Sequence, residues 1–357
     1  MKSPHIIIIG AGLIGLSTAD SLIRGGVQVT VIDAAKAPMR GASFSNSSML
    51  HPSQAMPWDF AGARAEAIEK AKAVFAMGQR SVELTIARAR DLGLDMHRRA
   101  VGTWQLFDDQ AALVAAQDVY QEIGVLCEMA ATPKGMAPLP ALFFPEDKSG
   151  NAYDYGMALS QDLVARGVVF MLGQEAKPHA QSGRIIGIDI GGEIIMADHV
   201  VLAAGYSSES LAADCGVKLP MRGEAGYALN FRRPENLAQP DTPIMHAPSR
   251  SAMTVFDDVV RLSGTTGRDN ADSLLRHWTQ IAPDIMQALG DPIGPEWRGI
   301  RPMSQAGHPY IGKTVVDGLW VNTGHGHMGW TLCAGSGELL ADMILNRAEA
   351  PQFKLPT

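Results

Sequence analysis

The chain has 357 residues, 46% of them hydrophobic, with a mean hydropathy near zero, the profile of a globular protein with a substantial core. At that length two domains sharing an interface are expected. Thirty basic residues against 37 acidic ones leave a net charge of −7, which argues against nucleic acid as a main partner. Cys127, Cys215 and Cys333 are too few and too scattered for a disulfide frame or a metal-type pair. No stretch reaches the roughly 18 uncharged apolar residues of a membrane span, and the first apolar run lacks a signal-peptide cleavage site. The expectation is a cytoplasmic protein with reduced thiols and no membrane span, peripheral contact with the inner membrane being left open.

In chain order, His5–Ile9 reads as a buried strand, and Gly10-Ala-Gly-Leu-Ile-Gly15 turns it into a helix from Leu13 to Arg24. Gly25-Gly26 stops that helix, and Val27–Asp33 is the next strand. A Ser/Asn-rich loop, Gly41–Ser53, precedes a long helical region at residues 61–92. Val101–Phe107 has strand composition, whereas residues 132–145, with Pro133, Pro138, Pro140 and Pro145, read as mostly loop. Asn151–Arg166 is helical, Val168–Leu172 a strand, and Ser182-Gly183 the turn of a hairpin. His199–Gly205 is a second buried strand ending on glycine. Across residues 225–265, Tyr227–Phe231, Ala252–Phe256 and Val259–Ser263 alternate as antiparallel sheet does. Residues 271–289 read as one helix, and Gly335–Asn346 closes the chain as another. Parallel-type strands at the beginning, middle and end, interleaved with antiparallel material, suggest a discontinuous cofactor domain with a second domain inserted twice.

The fingerprint Gly10-x-Gly12-x-x-Gly15 follows a strand and opens a helix. Gly10 suits a tight turn, Gly12 a close approach to pyrophosphate, and Gly15 close helix–strand packing, while the helix N-terminus offers N–H groups to phosphates. Asp33 ends the second strand, where a carboxylate can accept ribose hydroxyls. This motif does not decide between NAD and FAD. The loop Ser43-Phe-Ser-Asn46-Ser47-Ser48 is dense in small donors that could wrap a pyrophosphate or a flavin ring, or be an ordinary polar loop.

Taken together, the fingerprint, this loop, Gly102–Phe107, Val201–Gly205, Gly226–Leu229, Trp297-Arg-Gly-Ile-Arg-Pro302 and Asn322-Thr-Gly-His-Gly-His-Met-Gly-Trp-Thr331 resemble the FAD-dependent D-amino-acid oxidase superfamily, and most of all its bacterial D-amino-acid dehydrogenases. Glycine and sarcosine oxidases are more distant relatives. The resemblance covers nearly the whole chain. It implies an α/β fold: a Rossmann-like FAD-binding domain with a parallel sheet (residues 1–94, 147–222 and 296–357), plus an inserted α+β substrate-binding domain with an antiparallel sheet (95–146 and 223–295). It implies that Arg301 of the Arg-Pro pair, rather than Arg298, holds the substrate carboxylate, a task suited to a guanidinium fork.

Implied FAD contacts are Gly10, Ala11, Gly12, Leu13, Ile14, Gly15, Asp33, Ser43, Asn46, Ser47, Ser48, Ala204 and Gly205, together with the turn Gly326, His327, Met328, Gly329, Trp330 and Thr331. N–H groups at that turn can stabilise negative charge on a reduced flavin. His325 and His327 lack an acidic or cysteine partner, so no metal site is expected. Tyr227, His327 and His51 are candidates for the pocket. Where sarcosine oxidases carry a flavin-linking cysteine, this chain has Met303-Ser304, so FAD should be noncovalent.

The implied reaction is oxidative deamination of a D-amino acid to a 2-oxo acid and ammonia, with hydride passing from Cα to flavin N5; it needs positioning more than a side-chain base. The alternative within the class is an O2-using oxidase of glycine, sarcosine or a cyclic imino acid such as D-proline or hydroxyproline. Outside it stand an NAD-dependent dehydrogenase and a flavin-binding subunit without turnover. The segment that bacterial D-amino-acid dehydrogenases carry after Pro57-Trp58 is missing, which leaves the electron acceptor open among a quinone, an electron-transfer partner and O2.

Overall fold

The computed structural model describes residues 3–356 apart from 59, 97–100, 236, 238–241, 257, 265–269, 350 and 354. Asp257 and Thr265, inside the expected antiparallel stretch, lie outside the described residues. No helix among the described residues is long and apolar enough to cross a membrane.

The first strand, His5–Ile9, is buried on both faces, and its isoleucines feed two different cores. Ile6 and Ile8 join Leu16, Leu22, Leu159 and Leu340 on one side of the sheet. Ile7 and Ile9 join Ile185, Ile188, Leu202 and Leu219 on the other. A strand buried on both faces belongs in the middle of a parallel sheet. It pairs in parallel with His199–Leu202 and Gln28–Asp33 in a six-stranded sheet, ordered Tyr310–Lys313, Leu319–Thr323, His199–Leu202, His5–Ile9, Gln28–Asp33, Val169–Leu172. Only Tyr310–Lys313 runs antiparallel. The helices Leu13–Arg24, Ala152–Ala165 and Gly329–Ile344 cover one face, and a three-stranded sheet including Arg184–Ile190 covers the other.

A larger, mainly antiparallel sheet carries Met221–Arg232 between Trp297–Ser304 and Val259–Gly264, then continues through Ser251–Val255, Ile244–His246, Val101–Leu106 and Ala141–Ser149 to Met49–Leu50. Its two faces differ in character. The registers put Leu229, Phe231, Met253, Val255, Val260 and Leu262 on one side. There they pack with Leu274, Trp278 and Ile281 of the amphipathic helix Ala271–Ile281. The other side presents Glu224, Gly226, Ala228, Asn230, Arg261, Ser263, Thr254 and, from the neighbouring strand, Trp297, Gly299 and Arg301. Period-two alternation makes one face a core and the other a polar wall.

Two sequence expectations are corrected and one is bounded. Residues 132–145 are mostly loop, as expected, but the end of that stretch begins the strand Ala141–Ser149, which runs through Pro145. Opposite Gly102 the register slips, Thr103 facing Phe144 and Val101 facing Lys148. Pro145 falls in that irregularity, where no ladder N–H is required. The single helix at 271–289 is two, Ala271–Ile281 and Pro283–Leu289, interrupted at Ala282, the residue that Pro283 drives out of helical geometry. The final helix starts at Gly329, not Gly335. The glycines inside it serve contact: a Cβ at Gly337 would fall 2.8 Å from the backbone of Ser17 in the fingerprint helix. The strands also straddle the expected domain limits. Met221–Arg232 crosses residue 222/223, and Trp297–Ser304 belongs to the larger sheet.

Candidate active site

Four parallel strands deliver their C-terminal ends to one edge of the six-stranded sheet, the place where such sheets bind ligands. His5–Ile9 runs into Gly10, Gln28–Asp33 ends at Asp33, His199–Leu202 runs into Ala204-Gly205, and Leu319–Thr323 into Gly324. Gly10 has a φ of 121°, and a Cβ there would lie 2.3 Å from the Ala203 carbonyl oxygen. A Cβ at Gly15 would lie 1.9 Å from the Gly10 carbonyl oxygen. Both glycines are therefore required by packing of the turn against its own sheet and helix. Gly12 caps the helix with no side chain of its own, as suits a helix N-terminus that takes an anion.

The loop residues close over this turn. Ser43 Oγ accepts the Leu13 N–H at 3.1 Å. Asp33 accepts the N–H groups of Ala11 (2.7 Å) and Ala35 (2.8 Å), so its carboxylate is fixed at the strand end with lone pairs to spare. Asn46 Oδ1 accepts the Ser48 N–H, and Ser48 has a positive φ of 59°. From the polar wall of the larger sheet, Thr254 donates to the Ser47 carbonyl (2.7 Å) and Arg261 to the Asn46 carbonyl (3.2 Å). Burial lowers the Arg261 pKa to about 10, with Asp154 only partly offsetting it. The wall thus holds the loop, a connection with no sequence signal beyond the residues themselves.

The turn at Gly324–Thr331 meets the same loop. His51 donates its backbone N–H to Thr331 Oγ1 at 3.0 Å. The imidazoles of His51 and His327 stack with centroids 6.3 Å apart, and the Trp58 indole meets His327 edge-on at 5.5 Å. His327 Nε2 donates to the Gln54 carbonyl at 3.2 Å, an acceptor that fixes the proton on Nε2. Its ring is open to solvent, yet enclosure by protein lowers its pKa to about 4, the nearby charges of Arg301 and Arg250 adding to the effect while the Gln54 bond and Glu224 oppose it. The buried His51 ring is lowered to about 3 by burial and by His327, so both are neutral at pH 7. Met328 and Trp330 turn their side chains into the core, leaving their backbone to the turn. His325 is buried and bonded to Ser336 Oγ. No cluster among the described residues could hold a metal ion.

Arg301 lies in the strand that pairs with Met221–Arg232, directly opposite Glu224. Its guanidinium folds across Gly226, where a Cβ would fall 2.6 Å from it. Nη1 donates to the Ala225 carbonyl at 3.3 Å and stands 3.9 Å from the buried Glu224 carboxylate. Burial lowers its pKa and Glu224 raises it. A bridge from Met303 to His325 joins this strand to the glycine turn. Arg301, His327, His51 and the loop are therefore brought into one region of the molecule. Tyr227 does not join them: one residue past Gly226 on the strand, it points to the other face and packs on the apolar core against the helix. Glu224, Gly226, Arg261 and Trp58 were not marked as functional by the sequence, because only strand register puts them beside Arg301 and the loop.

An FAD fits these residues on two counts. The fingerprint helix starts at Gly12 with no capping side chain of its own, and the loop keeps Ser45 Oγ, Ser48 Oγ and His51 Nδ1 buried without a hydrogen-bond partner among the described residues, a state that natural sites resolve with a ligand or water. Cys333 is wholly buried, and burial raises its pKa to about 11, so it is no attachment point.

Comparison with known proteins agrees. Residues 5–343 match the DAO family of FAD-dependent oxidoreductases. A D-amino acid dehydrogenase of Methylobacterium nodulans is 29% identical over 408 aligned positions, covering 96% of each chain, so the relative carries segments absent here. Among solved structures, glycine oxidase from Geobacillus kaustophilus superposes with a TM-score of 0.84 at 22% identity, over 99% of each chain. Iminodiacetate oxidase from Chelativorans sp. BNC1 gives 0.79 at 22% identity, over 97% of each. The chain belongs to the family of FAD-dependent oxidoreductases.

Proposed function

We propose that this enzyme oxidatively deaminates D-amino acids to 2-oxo acids and ammonia, with Arg301 as the carboxylate anchor and FAD bound noncovalently. The observation that carries the reading is the Arg301 guanidinium, a poorly solvated cation laid over Gly226 and close enough to His327 for its charge to act there. Such a cation binds a carboxylate through paired, charge-assisted hydrogen bonds. The Gly10–Gly15 turn and the Ser43–Ser48 loop would hold the dinucleotide, Asp33 its ribose, and Ala204-Gly205 and the Gly326–Thr331 turn its ring system. Bound FAD supplies the acceptor for the hydride that leaves Cα.

The chain's own work is to bind and orient. Arg301 fixes one end of the substrate. His327, neutral and with Nε2–H committed to Gln54, offers Nδ1 as an acceptor for an amine N–H. Holding both ends sets the direction of the Cα–H bond, and the iminium product hydrolyses to the 2-oxo acid and ammonia. Similarity to a protein named D-amino acid dehydrogenase supports D-amino acids as substrates, and the acceptor in this reading is a quinone or an electron-transfer partner. A second reading, an O2-using oxidase of glycine, sarcosine or a cyclic imino acid, is favoured by the short connection between Trp58 and the helix that begins at Arg64.

An anaerobic screen of the FAD-loaded protein against D-, L- and N-methyl amino acids, glycine and D-proline tests this. D-amino acids should bleach the visible flavin absorbance within seconds to minutes. No bleaching by any of them contradicts the reading, and instant recolouring on admitting air assigns O2 as the acceptor.

A further inference from the structure

Behind the turn that follows His51 lies a buried acid that the proposed chemistry does not use. Asp147, in the strand Ala141–Ser149, is 2% exposed. Its Oδ2 accepts from Ser53 Oγ at 2.7 Å and from Thr103 Oγ1 at 2.6 Å, and its Oδ1 accepts the Ser53 N–H at 3.3 Å. Keeping a carboxylate charged in such a place costs stability, so folding alone does not account for it. Ser53 belongs to the short turn Pro52–Gln54, which ties two segments together. Just before it, His51 donates its backbone N–H to Thr331 Oγ1, and at its end the Gln54 carbonyl accepts from His327. The Gln54 side chain turns back inward and donates to Ser53 Oγ and Tyr120 Oη, both at 3.3 Å. The turn is thus fastened by Asp147 on one side and joined to the Gly326–Thr331 turn on the other.

We propose that Asp147 is a positioning residue: its carboxylate pins the Pro52–Gln54 turn to the larger sheet and so clamps the Ser43–Ser48 loop and the Gly326–Thr331 turn together around FAD. The proposal rests on the reading that these two segments hold FAD. Three donors aim at the two oxygens of Asp147, an arrangement that the ionised acid satisfies in full. A proton on Asp147 turns one acceptor into a donor, and a hydroxyl of Ser53 or Thr103 must swing away. Burial outweighs the three bonds and pushes the Asp147 pKa up to about 6, while Lys148, next in the strand, favours the charged form. The other shifted groups around it keep one state between pH 5 and 8. Burial raises Tyr120 to about 12 and raises Cys127 as well, and it lowers His51 to about 3 and His327 to about 4.

The test dilutes the FAD-loaded protein at pH values from 5 to 8 and reads the FAD dissociation constant from the recovery of flavin fluorescence. With one ionisation near pH 6 required for binding, the parent should hold FAD about tenfold more weakly at pH 5 than at pH 7. Asp147→Asn should abolish that dependence and bind at pH 7 about as weakly as the parent does at pH 5. Thr103→Val withdraws one donor from the carboxylate and should move the midpoint to higher pH, a shift that a merely structural role for Asp147 does not produce. That variant carries the test should Asp147→Asn fail to fold. A parent affinity that is flat from pH 5 to 8, an Asn variant with the parent's profile, or an unmoved midpoint in Thr103→Val overturns the proposal and leaves the FAD reading intact. A parent protein that holds no FAD at any of these pH values removes that reading, and the proposal with it.

Discussion

The two faces of the strand Met221–Arg232 belong to one stretch of chain and do opposite jobs. On one side Leu229 and Phe231 interlock with Leu274 and Trp278 beneath the helix Ala271–Ile281, all of them buried. On the other, Glu224 and Gly226 meet Arg301, while Asn230 accepts from Arg261 Nε at 2.9 Å. The first face stabilises by removing apolar surface from water. The second keeps two arginines in poorly solvated places, which costs stability and is sustained by what the first contributes. The proposed function places the site on the face that is unfavourable in isolation, and the strand's alternation decides which residues belong to it.

Breaking the polar face gently should cost activity and little stability. In Gly226→Ala the new Cβ would sit 2.6 Å from the Arg301 guanidinium, the far end of a flexible side chain. The strand should fold and the guanidinium should move by about an ångström, lowering kcat/KM about 10²-fold, as displaced positioning groups do. Steady-state kinetics beside a melting curve would check this, and full activity with a lowered Tm would refute it.

The apolar face should respond the other way. Trp278 is inaccessible to solvent and is among the largest fully buried side chains. Trp278→Ala should destabilise by about 3–5 kcal/mol. Urea titration would register that loss, while KM at a temperature where the protein is still folded should stay near the parent value. Tyr227→Phe is the mildest change. Because Tyr227 packs on the core side, kcat/KM should stay within about threefold of the parent, an effect below 1 kcal/mol. A hundredfold loss would return its hydroxyl to the pocket.

How much of this the sequence discloses follows from the range of each interaction. The opening βαβ unit is local: Leu13–Arg24 and the glycine fingerprint are set by neighbours within about thirty residues, and both were legible, the helix to its first and last residue. The Arg-Pro strand and the glycine turn at 324–331 were legible through resemblance. Arg301's partners were not. Glu224 lies 77 positions away in the chain and becomes its neighbour only through antiparallel register, and a shift of one residue would exchange Gly226 for Tyr227. The same limit explains why Tyr227 was a reasonable expectation and sits on the wrong face. Asp147 was invisible for a similar reason. It is buried by the irregular register opposite Gly102, where Ser53 and Thr103 donate to it and burial pushes its pKa up to about 6.

The central claim is that the polar face acts through Arg301. Substituting Arg301→Met keeps the side chain's length and apolar stem while removing the charge. Kinetics with the best D-amino acid from the anaerobic screen, alongside the ratio of flavin to protein absorbance, give the decisive comparison. Loss of a buried, charge-assisted carboxylate contact should lower kcat/KM by the equivalent of about 2–5 kcal/mol, with the flavin ratio unchanged. A variant that retains its flavin and turns over at a near-parental kcat/KM would contradict the account.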